Sequence, residues 1–320
     1  MKNIFIYVEK KINSNNLSDN SKSALAVVSK LKNLLDGDIF CVLHNGEAET
    51  FNEISEFFAC KIINIKANSD VILPQNEIDK VVDIAKNNKC AVLVFPSSIF
   101  GNDLAPIVSI KLDANYIPDI NKLEINTEKE LIVSKNIYAG RADVNIKINM
   151  EQINVFTTAP NSFDIIKTDT NNEFTVEDYT ASQSVENYKV IENVIEKNSK
   201  NIDDARVIIS CGRGIGSEDN FIKIEQLACK LDAAVGASRA VVDNGWKPHS
   251  IQVGQTGKTV APDLYIACGI SGAIQHLVGM NKSKYIIAIN TDINAPIFEI
   301  SDIAVNADLF NVIEKLNTLL

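Results

Sequence analysis

The sequence predicts an α/β protein of two domains. The first is an N-terminal Rossmann-like βαβ domain with added antiparallel strands, and the second is a C-terminal doubly wound parallel-sheet domain. Three observations carry this prediction. The chain has 320 residues, more than one hydrophobic core usually spans, and length alone suggests about two domains. Its first half alternates short β-branched runs with amphipathic stretches, the pattern of βαβ units. Ten of the fourteen glycines fall after position 211, where strand-like runs each end in a small-residue loop.

Taken in order, strand-like runs cover Ile4 to Val8, Ile39 to Leu43, Ile62 to Ile65 and Ala91 to Phe95. Helical periodicity near Ser21 to Leu35, Phe51 to Phe58 and Glu77 to Lys86 separates them, and another helix starts near Asn102. The alternation in Glu130 to Asn136, Asp143 to Ile148 and Gln152 to Thr157 is expected to extend the sheet by antiparallel strands. From Asn161 to Asp204 the chain is polar and weakly periodic, with one amphipathic piece around Val185 to Ile195. The domain boundary is placed at the end of this stretch, giving 1–203 and 204–320.

In the last third, strands are expected at Val207 to Ser210, Ala233 to Val235, Ile251 to Val253, Leu264 to Ala267, Tyr285 to Ile289 and Ile303 to Val305. A helix is expected at Phe221 to Leu231. Open parallel sheets bind ligands outside the carboxyl ends of their strands. The loops at 211–217, 236–239, 254–259, 268–273, 290–296 and 306–309 should therefore converge on one site of nucleotide size.

Composition narrows the function. No stretch reaches the ~18 apolar residues of a membrane span, and the first residues lack the cleavage signal of a leader, so a cytoplasmic protein without a membrane segment is expected. A formal charge of −10 opposes the phosphate backbone and excludes nucleic acid as a natural partner. The six cysteines form no CxxC pair, which argues against a zinc site or an iron-sulfur cluster and suits a reducing compartment.

Three motifs imitate familiar ones and fail in detail. Gly212-Arg213-Gly214-Ile215-Gly216 lacks the G-x-G-x-x-G spacing, and Gly254-Gln255-Thr256-Gly257-Lys258-Thr259 lacks the first glycine of a P-loop. Gly269-Ile270-Ser271-Gly272-Ala273 lacks the last glycine of a nucleophile elbow. What remains is binding: a strand, a turn of small residues, and a helix N-terminus at Gly272 to Gln275 that offers N–H groups to anionic oxygens. In the first turn of that helix the dipole should keep His276 neutral. Arg239, at a strand's carboxyl end, could contact a ligand or form a surface ion pair. Trp246 reads as a packing or interface residue.

The run Leu264 to Met280 followed by Ile287-Ala288-Ile289-Asn290 resembles the signature of electron-transfer flavoprotein alpha subunits. Val235-Gly236-Ala237-Ser238-Arg239 and Gln252 to Lys258 are similar to further motifs of that family, in order and spacing. The likeness is most specific over 206–320. In the first half it rests on Asp103-Leu104-Ala105-Pro106 and Tyr138-Ala139-Gly140.

The resemblance implies an FAD held by the C-terminal domain, and a heterodimer with an electron-transfer flavoprotein beta subunit docked by the N-terminal domain. It also implies electron exchange with an acyl-CoA dehydrogenase or a similar flavoprotein dehydrogenase. Ser238 and Arg239 match residues by the isoalloxazine, Thr256 one near its redox edge, and His276 one by a ring oxygen. Gln255, Ser271, Gly272, Ala273, Ile274 and Gln275 match contacts toward the ribityl chain and pyrophosphate, and Val253 and Gly254 match cofactor-binding positions beside them. Arg213, Asn290, Asp308 and Leu309 match further FAD contacts, the last three toward the ADP half. Gly245-Trp246-Lys247-Pro248-His249 and Lys258-Thr259-Val260 look more like the anaerobic kind, which bifurcates electrons with a second FAD in its beta subunit. A stand-alone NAD-dependent oxidoreductase with a related nucleotide domain is the rival class.

A cation ~4 Å from a flavin that gains negative charge is worth roughly 4 kcal/mol at an effective dielectric of ~20. At ~2.3 kcal/mol per 100 mV this is on the order of 150–200 mV, so Arg239 and the helix N-terminus at 272 are expected to favour an anionic semiquinone.

Overall fold

The computed structural model of the protein describes every residue except 1, 12–13, 67–73, 129, 139–141, 169–171, 181–200 and 204. The chain divides into two compact units, Met1–Val194 and Ile195–Leu320. The division precedes the expected boundary at 203 because Ile202 is buried in the core of the second unit. Lys258 there also reaches back to Asp203 at 2.7 Å and Asn201 at 3.2 Å. The amphipathic piece at 185–195 lies outside the described residues.

In the first unit the order is β1 (Asn3–Tyr7), α1 (Asp19–Lys32), β2 (Ile39–His44), α2 (Ala48–Ser55), β3 (Cys60–Lys66), α3 (Pro74–Asn87), β4 (Cys90–Pro96) and α4 (Ile99–Lys111). There follow β5 (Asn115–Ile120), β6 (Lys122–Ile125), β7 (Leu131–Ile137), β8 (Ala142–Lys147), β9 (Asn154–Thr158) and β10 (Phe174–Thr180). Local chemistry sets the helix starts. Ser18 caps α1 by accepting from the Ser21 amide, and Ser98 caps α4 by accepting from Gly101.

Seven strands form one parallel sheet in the order β10-β3-β2-β1-β4-β9-β5. All six residues of β2 are buried, as expected of a strand covered on both faces. One face packs on α1 and α2 and the other on α3 and α4.

The expectation of antiparallel extension needs a correction. The runs near 130 and 143 are antiparallel, but with β6 they form a separate three-stranded sheet, whose Leu123, Leu131 and Val133 sit in the first core. The third run, β9, lies inside the main sheet between β4 and β5 and runs parallel to both. All five of its residues are buried, which only an interior position satisfies. Strand β10 was not foreseen. It pairs with β3 over its whole length, and its polar composition hid it because an edge strand keeps polar groups in water.

The second unit contains β11 (Val207–Cys211), α5 (Phe221–Lys230), β12 (Ala234–Ala237), α6 (Arg239–Asp243), β13 (Leu264–Cys268), α7 (Ile274–Leu277), β14 (Tyr285–Asn290), β15 (Ile303–Asn306) and α8 (Leu309–Leu319). The five strands are parallel in the order β12-β11-β13-β14-β15. Helices α5 and α8 cover one face, where Trp246 also packs, half-buried. On the other face loop and turn segments supply Val260 and Met280, and a 3-10 helix at Pro296–Ile300 supplies Ile297. The strand expected at 251–253 is instead a 3-10 turn at His249–Ile251 followed by isolated bridges, Ala237 with Gln252 and Val253 with Lys258. Gly254 at φ 142° turns the chain back before a strand can run.

Candidate functional site

From β11 the chain adds β12 on one side and β13 on the other, so the strand order reverses between β11 and β13. Ligands of such sheets bind in the crevice outside the carboxyl ends at that reversal. Here the two loops meet backbone to backbone. The Gly212 amide donates to the Cys268 carbonyl at 2.8 Å, and the Gly214 amide to Gly269 at 3.1 Å. A Cβ on Gly212 would run into the Gly269 carbonyl oxygen, and one on Gly214 would stand 2.8 Å from Gly269 Cα. Gly212 and Gly214 thus serve the contact between the two loops, while Gly216, at φ 81°, serves the turn itself. Arg213 between them is exposed and has no ion pair among the described residues.

Hydrogen bonds gather the other loops around this point. The Ser238 amide donates to Cys211, Val253 to Ala237, and Gln255 to Gln275. A Cβ on Gly279 would run into the Gly254 backbone, and one on Gly254 would stand 2.8 Å from the Gln275 carbonyl oxygen. Asn290 Nδ2 donates to the Ile270 carbonyl at 2.9 Å, and Gly269 lies against Leu309. The structure therefore brings all sixteen residues singled out from the sequence to the same end of one sheet.

The 271–275 turn carries an unusual donor set. The amides of Ser271, Gly272, Ala273, Ile274 and Gln275 donate no hydrogen bond among the described residues. Consecutive free N–H groups form an anion-binding concavity. Helix α7 that follows is a single four-residue turn, so these local amides, and not a long helix dipole, make the turn electropositive.

This changes the physical account of His276. The residue is 6% exposed, and burial pushes its pKa from 6.5 down to about 4. Its Nε2 lies 3.0 Å from the hydroxyl of buried Tyr265, whose own pKa burial raises. Both rings stay neutral; for His276 this was expected, but desolvation is the cause. A backbone contact from Val253 offsets part of the fall, but it is not a well-formed hydrogen bond, and Nδ1 is left buried without one.

Ser238 stands at the N-cap of α6 without capping it, and its Oγ is buried with no partner. Such an orphan is a group waiting for a ligand atom. Arg239 is the first residue of α6, its side chain 68% exposed, with Nε 3.4 Å from Asp243 Oδ2. Val253 is buried and can contribute only backbone, while Gln255 and Thr256 are exposed.

Two residues carry local roles besides. Asp308 caps α8 by accepting from the Phe310 and Asn311 amides, and the Asn290 amide is spent bracing the 270 turn. Sequence reading missed Tyr265 and Gln252. Nothing in the spacing links Tyr265 to His276, which meet only once the 271–276 segment folds against β13, or Gln252 to Thr256, whose bond depends on the non-helical turn of their shared loop.

The residues fit a dinucleotide with a fused polar ring system. Free amides suit a pyrophosphate, unpaired Arg213 an anionic or polar edge, and the Ser238, Thr256 and His276 groups the heteroatoms of a ring. Two family models match: the electron transfer flavoprotein domain over residues 4–184 and the electron transfer flavoprotein FAD-binding domain over 201–281. The chain is 35% identical over 300 residues to an electron transfer flavoprotein subunit alpha of Syntrophomonas wolfei, covering 92% of this chain and 93% of that one. It is 40% identical to the protein of the same name from Thermoanaerobacterium thermosaccharolyticum, over 74% of this chain and 72% of the relative. For the Paracoccus denitrificans protein the identity is 42%, over 69% and 70%. The chain belongs to the family of electron transfer flavoprotein alpha subunits.

Proposed function

We propose that the second unit binds one FAD across the carboxyl ends of β11–β15 and that the protein is a redox carrier subunit, not a self-sufficient enzyme. The observation that carries this reading is the run of five unused amides at 271–275, beside the orphan Ser238 hydroxyl and the unpaired Arg213. The amides would hold the pyrophosphate with Gln255. Asn290, Asp308 and Leu309 would border the adenosine end, and Arg213, Ser238, Arg239, Thr256 and His276 the ring. The bound flavin supplies reversible one- and two-electron transfer. Neutral His276 donates or accepts a hydrogen bond without adding charge, and Arg239 adds a screened positive charge.

The family pairs the alpha subunit with a beta subunit. We assign beta-subunit docking to the first unit, which carries no glycine-rich loop between β1 and β4. The electron donor is taken to be an acyl-CoA dehydrogenase or a similar flavoprotein dehydrogenase. The Gly245–His249 and Lys258–Val260 motifs favour the bifurcating kind, in which the beta subunit holds a second FAD. All six cysteines are free thiols, five of them buried, which suits the cytoplasm. No helix among the described residues is long and apolar enough to cross a membrane.

The test is the flavin content of the full chain co-purified with its beta subunit. Two FAD per heterodimer support the bifurcating reading, and one supports a simple carrier. Arg213→Ala and Ser238→Ala should weaken FAD binding. A colourless chain that takes up no FAD, or one that turns over NADH and a substrate without any partner, would overturn the proposal.

A further inference from the structure

We propose that Gln252 is a positioning residue that fixes the direction of the Thr256 hydroxyl, so that Thr256 presents a hydrogen-bond donor to the site. The inference rests on the assignment of the 253–256 loop to the FAD site. Gln252 is 3% exposed, while Thr256 is exposed. The Gln252 Nε2 group donates to Thr256 Oγ1 at 3.0 Å. An amide nitrogen has only hydrogens to offer, and a hydroxyl has one proton of its own. With its oxygen already accepting from below, the Thr256 proton is directed outward, and no described residue takes it. The hydroxyl is thereby set as a donor toward an acceptor atom of the ligand ring.

The rest of the loop is held in the same sense. A ring nitrogen of His249 lies 3.0 Å from the Thr256 carbonyl. A carbonyl only accepts, so that nitrogen carries hydrogen. The Lys258 amide donates to the Gln252 carbonyl at 2.7 Å, Gly254 donates to Lys258 at 3.1 Å, and Gly257 donates to Gly254 at 3.0 Å. Thr256 is thus gripped at its side chain by Gln252 and at its backbone by His249, on a loop that its own amides close. The opposite orientation of the Gln252 amide would put Oε1 against Thr256 and draw its proton inward. A glutamate at 252 imposes that reversed state, because a carboxylate can only accept.

The test uses the full chain with its beta subunit. It compares Thr256→Val, Gln252→Glu, Gln252→Met and the doubles Gln252→Glu/Thr256→Val and Gln252→Met/Thr256→Val. The readouts are FAD affinity from flavin fluorescence quenching and the shape of the visible flavin spectrum, with Trp246 fluorescence as the check on folding. Thr256→Val and Gln252→Glu should each weaken FAD by about three- to tenfold, the value of one net hydrogen bond, and should give the same spectral change. Gln252→Met should weaken it less, since the freed hydroxyl can still rotate toward the ligand. Each double should be no weaker than Thr256→Val alone, the non-additivity of groups acting through one bond. If the Glu variant does not fold, the Met variant and its double carry the same comparison. Losses that multiply in the doubles would show that Gln252 acts independently of Thr256, overturning this inference and leaving the FAD site intact. Unchanged FAD affinity and spectrum in Thr256→Val would instead remove the loop from the FAD site, and the inference with it.

Discussion

Replacing His276 by glutamine should change how the second unit responds to acid. In the unfolded chain the imidazole takes up a proton as pH falls through 6.5, while in the folded protein burial delays this to about 4. Between these values the unfolded state binds more protons, so stability falls as the solution is acidified through the window and is fully recovered above it. At about 1.4 kcal/mol per pH unit the interval corresponds to roughly 3 kcal/mol. That is a large share of the ~5–15 kcal/mol of a typical domain. The assay is urea unfolding of the FAD-free protein from pH 7 to pH 4.5. It is followed by the fluorescence of Trp246, the sole tryptophan, which packs half-buried against the core of the second unit. His276→Gln loses the contact to Tyr265, which lowers stability equally at every pH, and should remove up to one proton's worth of slope. Parallel loss of stability in wild type and variant between pH 6.5 and 4.5 would refute the reasoning, because His276 would then titrate alike in both states.

Arg239→Ala should lower the flavin potential by about 50 mV, well under the 150–200 mV expected from charge alone. The side chain is 68% exposed and pairs with Asp243, so a dielectric near that of water and about 1 kcal/mol apply. Asp243→Asn should raise the potential by a comparable amount, and a redox titration checks both. Gly212→Ala should destabilise the second unit by about 1–3 kcal/mol, as overpacking does, because its methyl meets the Gly269 backbone; urea midpoints by Trp246 fluorescence measure it. Asp308→Ala should cost about 1 kcal/mol through the lost cap of α8, seen as a lower melting temperature with FAD absent.

Much of the architecture was legible in the residues themselves. Continuous apolar runs such as Ile39 to Leu43 are readable because a strand buried on both faces needs side chains of one kind, whatever its neighbours. The glycines after 211 were readable as backbone lying close to something, and so was the set of loops at the carboxyl ends of the strands. Local sequence could not say what each glycine touches. Gly212 and Gly214 face Gly269 more than 50 positions away, and that pairing exists only because β11 and β13 are neighbours in the sheet. The same limit hid the place of β9 inside the sheet and of β10 at its edge, since partner choice among strands depends on non-local packing. The neutrality of His276 was expected from a helix end, but it arises from burial against Tyr265 and the core, a property of the folded interior and not of any short segment. Whether Thr256 gives or takes a hydrogen bond was likewise decided by Gln252, whose amide meets it only after the chain turns at Gly254 and closes on Lys258. Periodicity and residue chemistry determined which elements form and where ligand-facing loops lie. Packing between distant segments decided most of which groups meet and which are desolvated, whereas the Gln252–Thr256 pair is set by the conformation of its own loop.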